Sequence, residues 1–203
     1  MSSKTRWVYA LPIGIAIVMF SANSSRAASG VWNGSSDGCW TNSANWSASP
    51  YPSAGETATF SNAGAGRTVI DVAGLPIIKN ITFASANVAE YTLGAGGARA
   101  QTVVVTNEGT IKLDASAANS QVINANIQLG TDRTNMTLQL QNDSTAHTLT
   151  VAGDLLFPQS GLWVSGIKSV NLYGAGETRL LGSWLRFDTA ILTCFGCGKL
   201  ALP

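Results

Sequence analysis

Charge is scarce in this 203-residue chain: Asp, Glu, Lys and Arg make up 11% of it, against about 25% in an ordinary soluble domain. Its 12 basic and 11 acidic residues nearly cancel. A near-neutral chain has no basic face from which to displace counterions, so no nucleic-acid partner is expected. Nor is it a charged disordered tail, because 45% of its residues are hydrophobic. Histidine occurs once and cysteine three times. Cys194 and Cys197 lack a second pair at ligand spacing, so no metal site is expected. The 21 glycines follow no Gly-X-Y period, which excludes collagen. A phosphate-binding loop, a dinucleotide glycine fingerprint and a calcium-binding glycine nonapeptide are all missing. The sequence implies no cofactor.

Long apolar runs are absent too, with one exception at the N-terminus. Lys4 and Arg6 precede segment 7–20, which is apolar throughout. It is shorter than the roughly 20 residues of a comfortable membrane span, but it suits the apolar region of a signal peptide. Ser25 and Ala27 place small residues where cleavage after Ala27 needs them. Residues 1–27 are therefore read as a signal-peptide helix; an uncleaved anchor is the alternative. The reading sends the chain through the Sec translocon and signal peptidase to a secreted or cell-surface location. Losing Lys4, Arg6 and Arg26 leaves nine basic residues against 11 acidic ones, about −2 net. No polybasic patch is left for anionic lipid, and no membrane insertion is expected after cleavage.

What is abundant is short alternation of Val, Ile, Leu and Thr, broken by Gly, Asn, Ser and Ala. Strands are predicted at 57–60, 68–72, 77–83, 91–93, 102–106, 110–113, 121–129, 136–140, 148–151, 155–157, 162–164, 169–173 and 178–181. Ile123, Ala125, Ile127 and Leu129 alternate with Asn124, Asn126 and Gln128. Each strand thus offers an apolar face to a core and an amide-rich face to water. Outward amides form hydrogen-bonded ladders when successive coils stack. The predicted fold is therefore an all-β parallel β-helix. A β-sandwich or jelly roll is the runner-up, although Asn33-Gly34 is the only Asn-Gly turn signal. Residues 28–60 read as a Trp- and Gly-rich cap, 61–183 as the repeat region and 184–203 as a tail that leaves the pattern.

Three of the six tryptophans, Trp32, Trp40 and Trp46, lie close together. They sit in Val31-Trp32-Asn33-Gly34 and Gly38-Cys39-Trp40, and in Asn45-Trp46. Pro50 and Pro52 follow, then Gly55-Glu56-Thr57-Ala58-Thr59-Phe60. This opening resembles that of bacterial autotransporter-associated β-strand repeat proteins. Lys79-Asn80-Ile81-Thr82-Phe83 and Gly109-Thr110-Ile111-Lys112-Leu113 resemble the repeat strands of that family. The resemblance spans roughly 30–183. It implies a right-handed β-helix passenger on the outer surface. Family members often run much longer and many end in an outer-membrane β-barrel or a sorting tail. Neither is visible here, and the chain is expected to be a passenger-type fragment without the barrel.

Few residues suggest chemistry. The tryptophans have two readings: a hydrophobic cap on the first coil, or a glycan-stacking face of Trp32, Trp40 and Trp46. His147 has Asp143 and Ser144 nearby in sequence, but proximity in sequence does not orient a base. Asp71, Glu90, Asp114, Asp132, Asp143, Asp154 and Glu177 are scattered, with no close acidic pair. Cys194 and Cys197 are either a disulfide or two thiols, and Cys39 is a small buried residue or a free thiol. No catalytic residue is assigned. The expected role is a non-catalytic adhesion or scaffold passenger, its partner an unknown surface glycan or protein. A carbohydrate-binding module built on the Trp cluster is the alternative, and a polysaccharide lyase- or hydrolase-like β-helix enzyme the third reading.

Overall fold

The computed structural model describes residues 27–74, 76–130, 135–157, 167–183 and 190–202. The leader helix and the strand expected at 162–164 lie outside the described residues. Strand β1 (Gly30–Val31) precedes the tryptophan segment, and β2 (Thr57–Phe60) and β3 (Val69–Ile70) follow it. The chain then repeats a circuit. It passes through β4 (Ile77–Phe83), β5 (Thr92–Leu93), β6 (Thr102–Leu113), β7 (Gln121–Ile123) and β8 (Asn126–Leu129). The later circuits contain β9 (Met136–Asn142), β10 (Leu149–Val151), β11 (Leu155–Leu156), β12 (Lys168–Tyr173) and β13 (Glu177–Leu180). The last described strands are β14 (Ala190–Phe195) and β15 (Lys199–Ala201).

A nine-stranded sheet follows the order β1-β2-β4-β6-β9-β12-β14, with β8 paired to β6 and β11 to β8. A six-stranded sheet follows β3-β5-β7-β10-β13-β15. Every strand pair among the described residues is parallel. The protein is an all-β solenoid of about 5 turns. A sandwich or jelly roll would be built from antiparallel neighbours, so the runner-up expectation does not describe it.

Register explains why this sequence coils. Ala58, Ile81, Ile111, Leu140 and Leu172 stack as one inward column, because each is the pairing partner of the next. Thr57, Asn80, Thr110, Gln139, Asn171 and Thr193 stack beside them as an outward column. Strands one coil apart lie about 4.8 Å from one another, close enough for side chains to bond along the stack. Asn80 Nδ2 donates to Thr57 Oγ1 at 3.1 Å, and the Thr110 amide donates to Asn80 Oδ1 at 3.2 Å. In the six-stranded sheet Ile70, Leu93, Ile123, Val151 and Leu180 form the matching inward column. The alternation seen in the sequence is the cross-section of these columns.

Three boundaries differ from expectation. The segments 102–106 and 110–113 form one strand that turns a corner at 106–109, where Glu108 takes φ 59°. Segment 121–129 splits into β7 and β8, which belong to different sheets. Ile123, Ala125 and Ile127 all stay inward through that corner, so the period of two does not register the bend. Coils approach closely there: a Cβ on Gly153 would meet the backbone of Ala125, and one on Gly182 the backbone of Gly153. Finally, residues 190–201 continue the pattern expected to stop at 183, since β14 pairs with β12 and β15 with β13.

Residues 30–46 cover the opposite end. β1 pairs with β2. Residues 38–40 run along β3, with the Trp40 amide on Asp71 O and the Asp71 amide on Gly38 O, both at 2.8 Å. The first edge of each sheet is thereby occupied.

Candidate functional site

The tryptophan segment is the feature that the sequence marks most strongly. Its three indoles are buried: Trp32 and Trp40 are 0% exposed and Trp46 5%. Trp46 stands edge-on to Trp32 and to Trp40, with centroids at 5.1 and 4.9 Å. All three rings meet Phe60, which in turn stacks on Phe83 at 5.2 Å. The cluster therefore continues the inward aromatic column and closes it. Each indole N–H is satisfied by a carbonyl: Trp32 on Arg67 at 3.2 Å, Trp40 on Pro52 at 3.0 Å and Trp46 on Trp40 at 2.7 Å. A sugar needs an exposed ring face, and the positions of Trp32, Trp40 and Trp46 present none of that size. Their placement is that of a cap.

Polar groups hold the cap in shape. Asn45 is buried; its Oδ1 accepts from the Ser36 and Asp37 amides and its Nδ2 donates to Asp37 Oδ1 and Cys39 O. The Asp37 carboxyl is held below its ordinary range, first by the Asn42 side-chain amide, then by the Cys39 amide and by Asn45. Arg67 Nη1 donates to Gly34 O at 2.7 Å. The Tyr91 hydroxyl donates to Asn62 O at 2.8 Å, and burial pushes its pKa up to about 12. The Cys39 thiol is free, and burial, with the Asp37 and Asp71 carboxylates, pushes its pKa up. A thiol held protonated in this way is a poor nucleophile.

The remaining candidates do not converge. The His147 amide donates to Ser144 Oγ and its carbonyl accepts from Asn142, so its backbone serves a turn. Asp114 and Asp143 share one cation, Lys112, at 2.9 and 3.1 Å. Asp154 pairs with Arg99 at 2.7 Å, and Glu177 with Arg179 and Lys199 at 2.5 and 3.3 Å. Asp71 accepts from Gln101, Glu90 is exposed, and Asp132 lies outside the described residues. Asp71, Asp114, Asp143, Asp154 and Glu177 are thus engaged by local amides or cations. Among the described residues no group of three or more His, Cys, Asp or Glu side chains is placed to hold a metal ion. No helix among them is long and apolar enough to cross a membrane. Cys194 and Cys197 form a disulfide, with Cα atoms 5.6 Å apart.

Two groups escaped the sequence reading. Gln121 and Asn142 are fully buried amides. Gln121 Oε1 accepts from the Tyr91 amide while its Nε2 donates to Ala89 O and Asn119 O. Asn142 accepts from the Ser144 amide and donates to His147 O and Glu177 O. Each ties a turn to a neighbouring coil. What the surface offers a partner is therefore extended: flat columns of Thr, Asn and Gln beside a few neutralised ion pairs. Set against protein-family models, curated proteins and solved structures, the chain has no match in any of the three comparisons.

Proposed function

We propose that the protein is a non-catalytic surface rod: a right-handed β-solenoid passenger, exported by the leader 1–27, that serves adhesion or scaffolding. The observation that carries this reading is the outward column Thr57-Asn80-Thr110-Gln139-Asn171-Thr193. It presents a long, weakly charged hydroxyl and amide face on a stiff support, which suits a broad contact with a surface glycan or protein. Solenoid stability adds up coil by coil through nearest neighbours, which makes such a rod extensible and rigid. The right hand follows the strong preference of parallel crossovers. The apolar leader with Lys4 and Arg6 before it supports export, and the resemblance of the Trp opening to the autotransporter-associated repeat proteins supports an outer-surface location.

Cell fractionation with sequencing of the mature N-terminus tests the reading. The protein is expected at the cell surface or in the medium, beginning at Ala28, and deletion of 1–27 traps it in the cytoplasm. Cells displaying it gain attachment to a glycan- or protein-coated surface, and Asn80→Asp, Gln139→Glu and Asn171→Asp together reduce that gain. Cytoplasmic protein with Met1 intact, or cleavage of a polysaccharide by the purified chain, contradicts it.

A further inference from the structure

The chain enters its first coil beside a carboxylate that has no cation. β1 pairs with β2 through Gly30 opposite Ala58 and Val31 opposite Thr59. The same register, carried back along both strands, sets Ser29 opposite Thr57 and Ala28 opposite Glu56. Hydrogen bonds follow it: the Thr57 amide donates to Ser29 Oγ at 3.0 Å, and Ser29 Oγ donates to Glu56 Oε2 at 2.8 Å. The entry is fixed sideways as well. A Cβ on Gly30 would meet Ala48 Cβ at 3.1 Å and Pro52 Cγ at 3.2 Å, and the Val31 amide donates to Ser47 Oγ at 2.8 Å. Glu56 is half-buried, and its carbonyl accepts from the Lys79 and Asn80 amides. Among the described residues no lysine or arginine forms an ion pair with its carboxylate, whereas Asp114, Asp143, Asp154 and Glu177 each have one.

We infer that Glu56 is the counter-ion of the α-ammonium created when the leader is removed, so that processing itself fastens the first strand of the cap. That fastening presupposes the export reading above, with cleavage after Ala27. Hydrolysis of the Ala27–Ala28 bond adds the oxygen of one water to the Ala27 carbonyl carbon, and both its protons end on the Ala28 nitrogen. The leader departs with a carboxylate and the mature chain keeps an ammonium. An α-amino group titrates at about 7.7–8.0, so it is mostly cationic at neutral pH. Ala28 faces Glu56 across the parallel spacing of about 4.8 Å, within reach of the carboxylate. In the precursor the same nitrogen is a neutral amide and supplies no charge. Ser29 already turns the Glu56 carboxylate toward β1, which lowers the entropy cost of forming the pair. Strand β1 is two residues long and outermost in its sheet, and such terminal segments open most readily. The contact is thus missing from the precursor and appears in the processed protein.

Hydrogen exchange of the Thr57 and Trp32 amides, which bond Ser29 Oγ and Thr59 O, reads the fastening. Chain 28–203, released from a cleavable carrier so that Ala28 comes first, is compared with the same chain carrying an N-terminal acetyl group, with Glu56→Gln, and with both changes. Acetylation should speed exchange at both amides by about threefold, within the range of a partly exposed ion pair. Glu56→Gln should do the same, because glutamine keeps an acceptor for Ser29 but not the charge. With Glu56→Gln in place, acetylation should add nothing. Amides of β9 and β12 should be unchanged in all four chains. If Glu56→Gln misfolds, a Gly-Ser extension ahead of Ala28 replaces it; this displaces the ammonium, leaves Glu56 intact and should match acetylation. Equal exchange in the free and acetylated chains, or an acetylation effect that persists with Glu56→Gln, overturns the inference. Sequencing the N-terminus of the exported protein tests the underlying reading separately. A start other than Ala28 removes the cleavage reading and the maturation step with it, whereas a start at Ala28 without coupling to Glu56 overturns the pairing alone.

Discussion

Asn142 donates its side-chain N–H to the carbonyl of Glu177 on the next coil, at 2.7 Å. The asparagine occupies the column of Phe60, Phe83 and Leu113, where an apolar residue would be expected. It is tolerated because its amide also bonds His147 O and the Ser144 N–H. Asn142→Leu would suit the column but leave these backbone groups unpaired. It should cost about 2–4 kcal/mol, as an unsatisfied buried group costs about 1–3 kcal/mol. Denaturant unfolding checks this; a leucine variant of unchanged midpoint would show that the amide is dispensable.

Truncating the cap should be more damaging. Trp40 is wholly buried against Trp46 and Phe60. Trp40→Ala should destabilise by about 3–5 kcal/mol, the range for large aromatic truncations in cores. Loss of near-ultraviolet tryptophan ellipticity should accompany the fall. A Trp40→Ala chain that melts like the parent while losing glycan binding would restore the sugar-stacking reading of Trp32, Trp40 and Trp46.

Acid should unlock the ion pairs at the coil corners. Asp114 is lowered from 3.8 to about 2, first by the Ser116 amide and then by the Lys112 ammonium. The Arg179 guanidinium beside Glu177 lowers that carboxyl too. Carboxyls depressed by folding contribute stability above their unfolded pKa and lose it as pH falls through the folded one. The denaturation midpoint should therefore hold above about pH 4 and fall toward about pH 2. Asp114→Asn should flatten part of that slope. An equally steep slope in the variant would remove Asp114 from the account.

Reduction of Cys194–Cys197 should act locally. The bridge closes a loop of sequence separation 3 in the last coil, and a loop so short contributes about 2 kcal/mol in the chain-entropy model. Nearest-neighbour stacking confines the effect to that coil. With dithiothreitol, amides of 190–201 should exchange faster while those of β6 and β9 keep their protection. Cooperative loss throughout would contradict the additive picture.

Strands were legible where one face is apolar and the other polar. Segments 57–60 and 77–83 coincide with β2 and β4 to the residue. β14 escaped notice because Ile191 and Phe195 point outward while Leu192 points inward, which erases the contrast between faces. The buried amides were hidden for the opposite reason: Asn142 and Gln121 are the residue types that face water at Asn80 and Gln139. The place of the tryptophan cluster was plain, but the sequence left its burial open, since an indole suits a core and a sugar equally. The burial of all three rings and the hydrogen bonds of their indole N–H groups into the cap favour the core.

Coil stacking in this register is the claim on which the rest depends, and one distance measures it. Thr57 and Asn171 share an outward column four pairings apart, about 19 Å at the inter-strand spacing. Spin labels at Thr57→Cys and Asn171→Cys, in a Cys39→Ser background, should give one narrow distance peak near about 20 Å. A broad distribution, or a peak beyond about 35 Å, would show that the coils do not stack in this register.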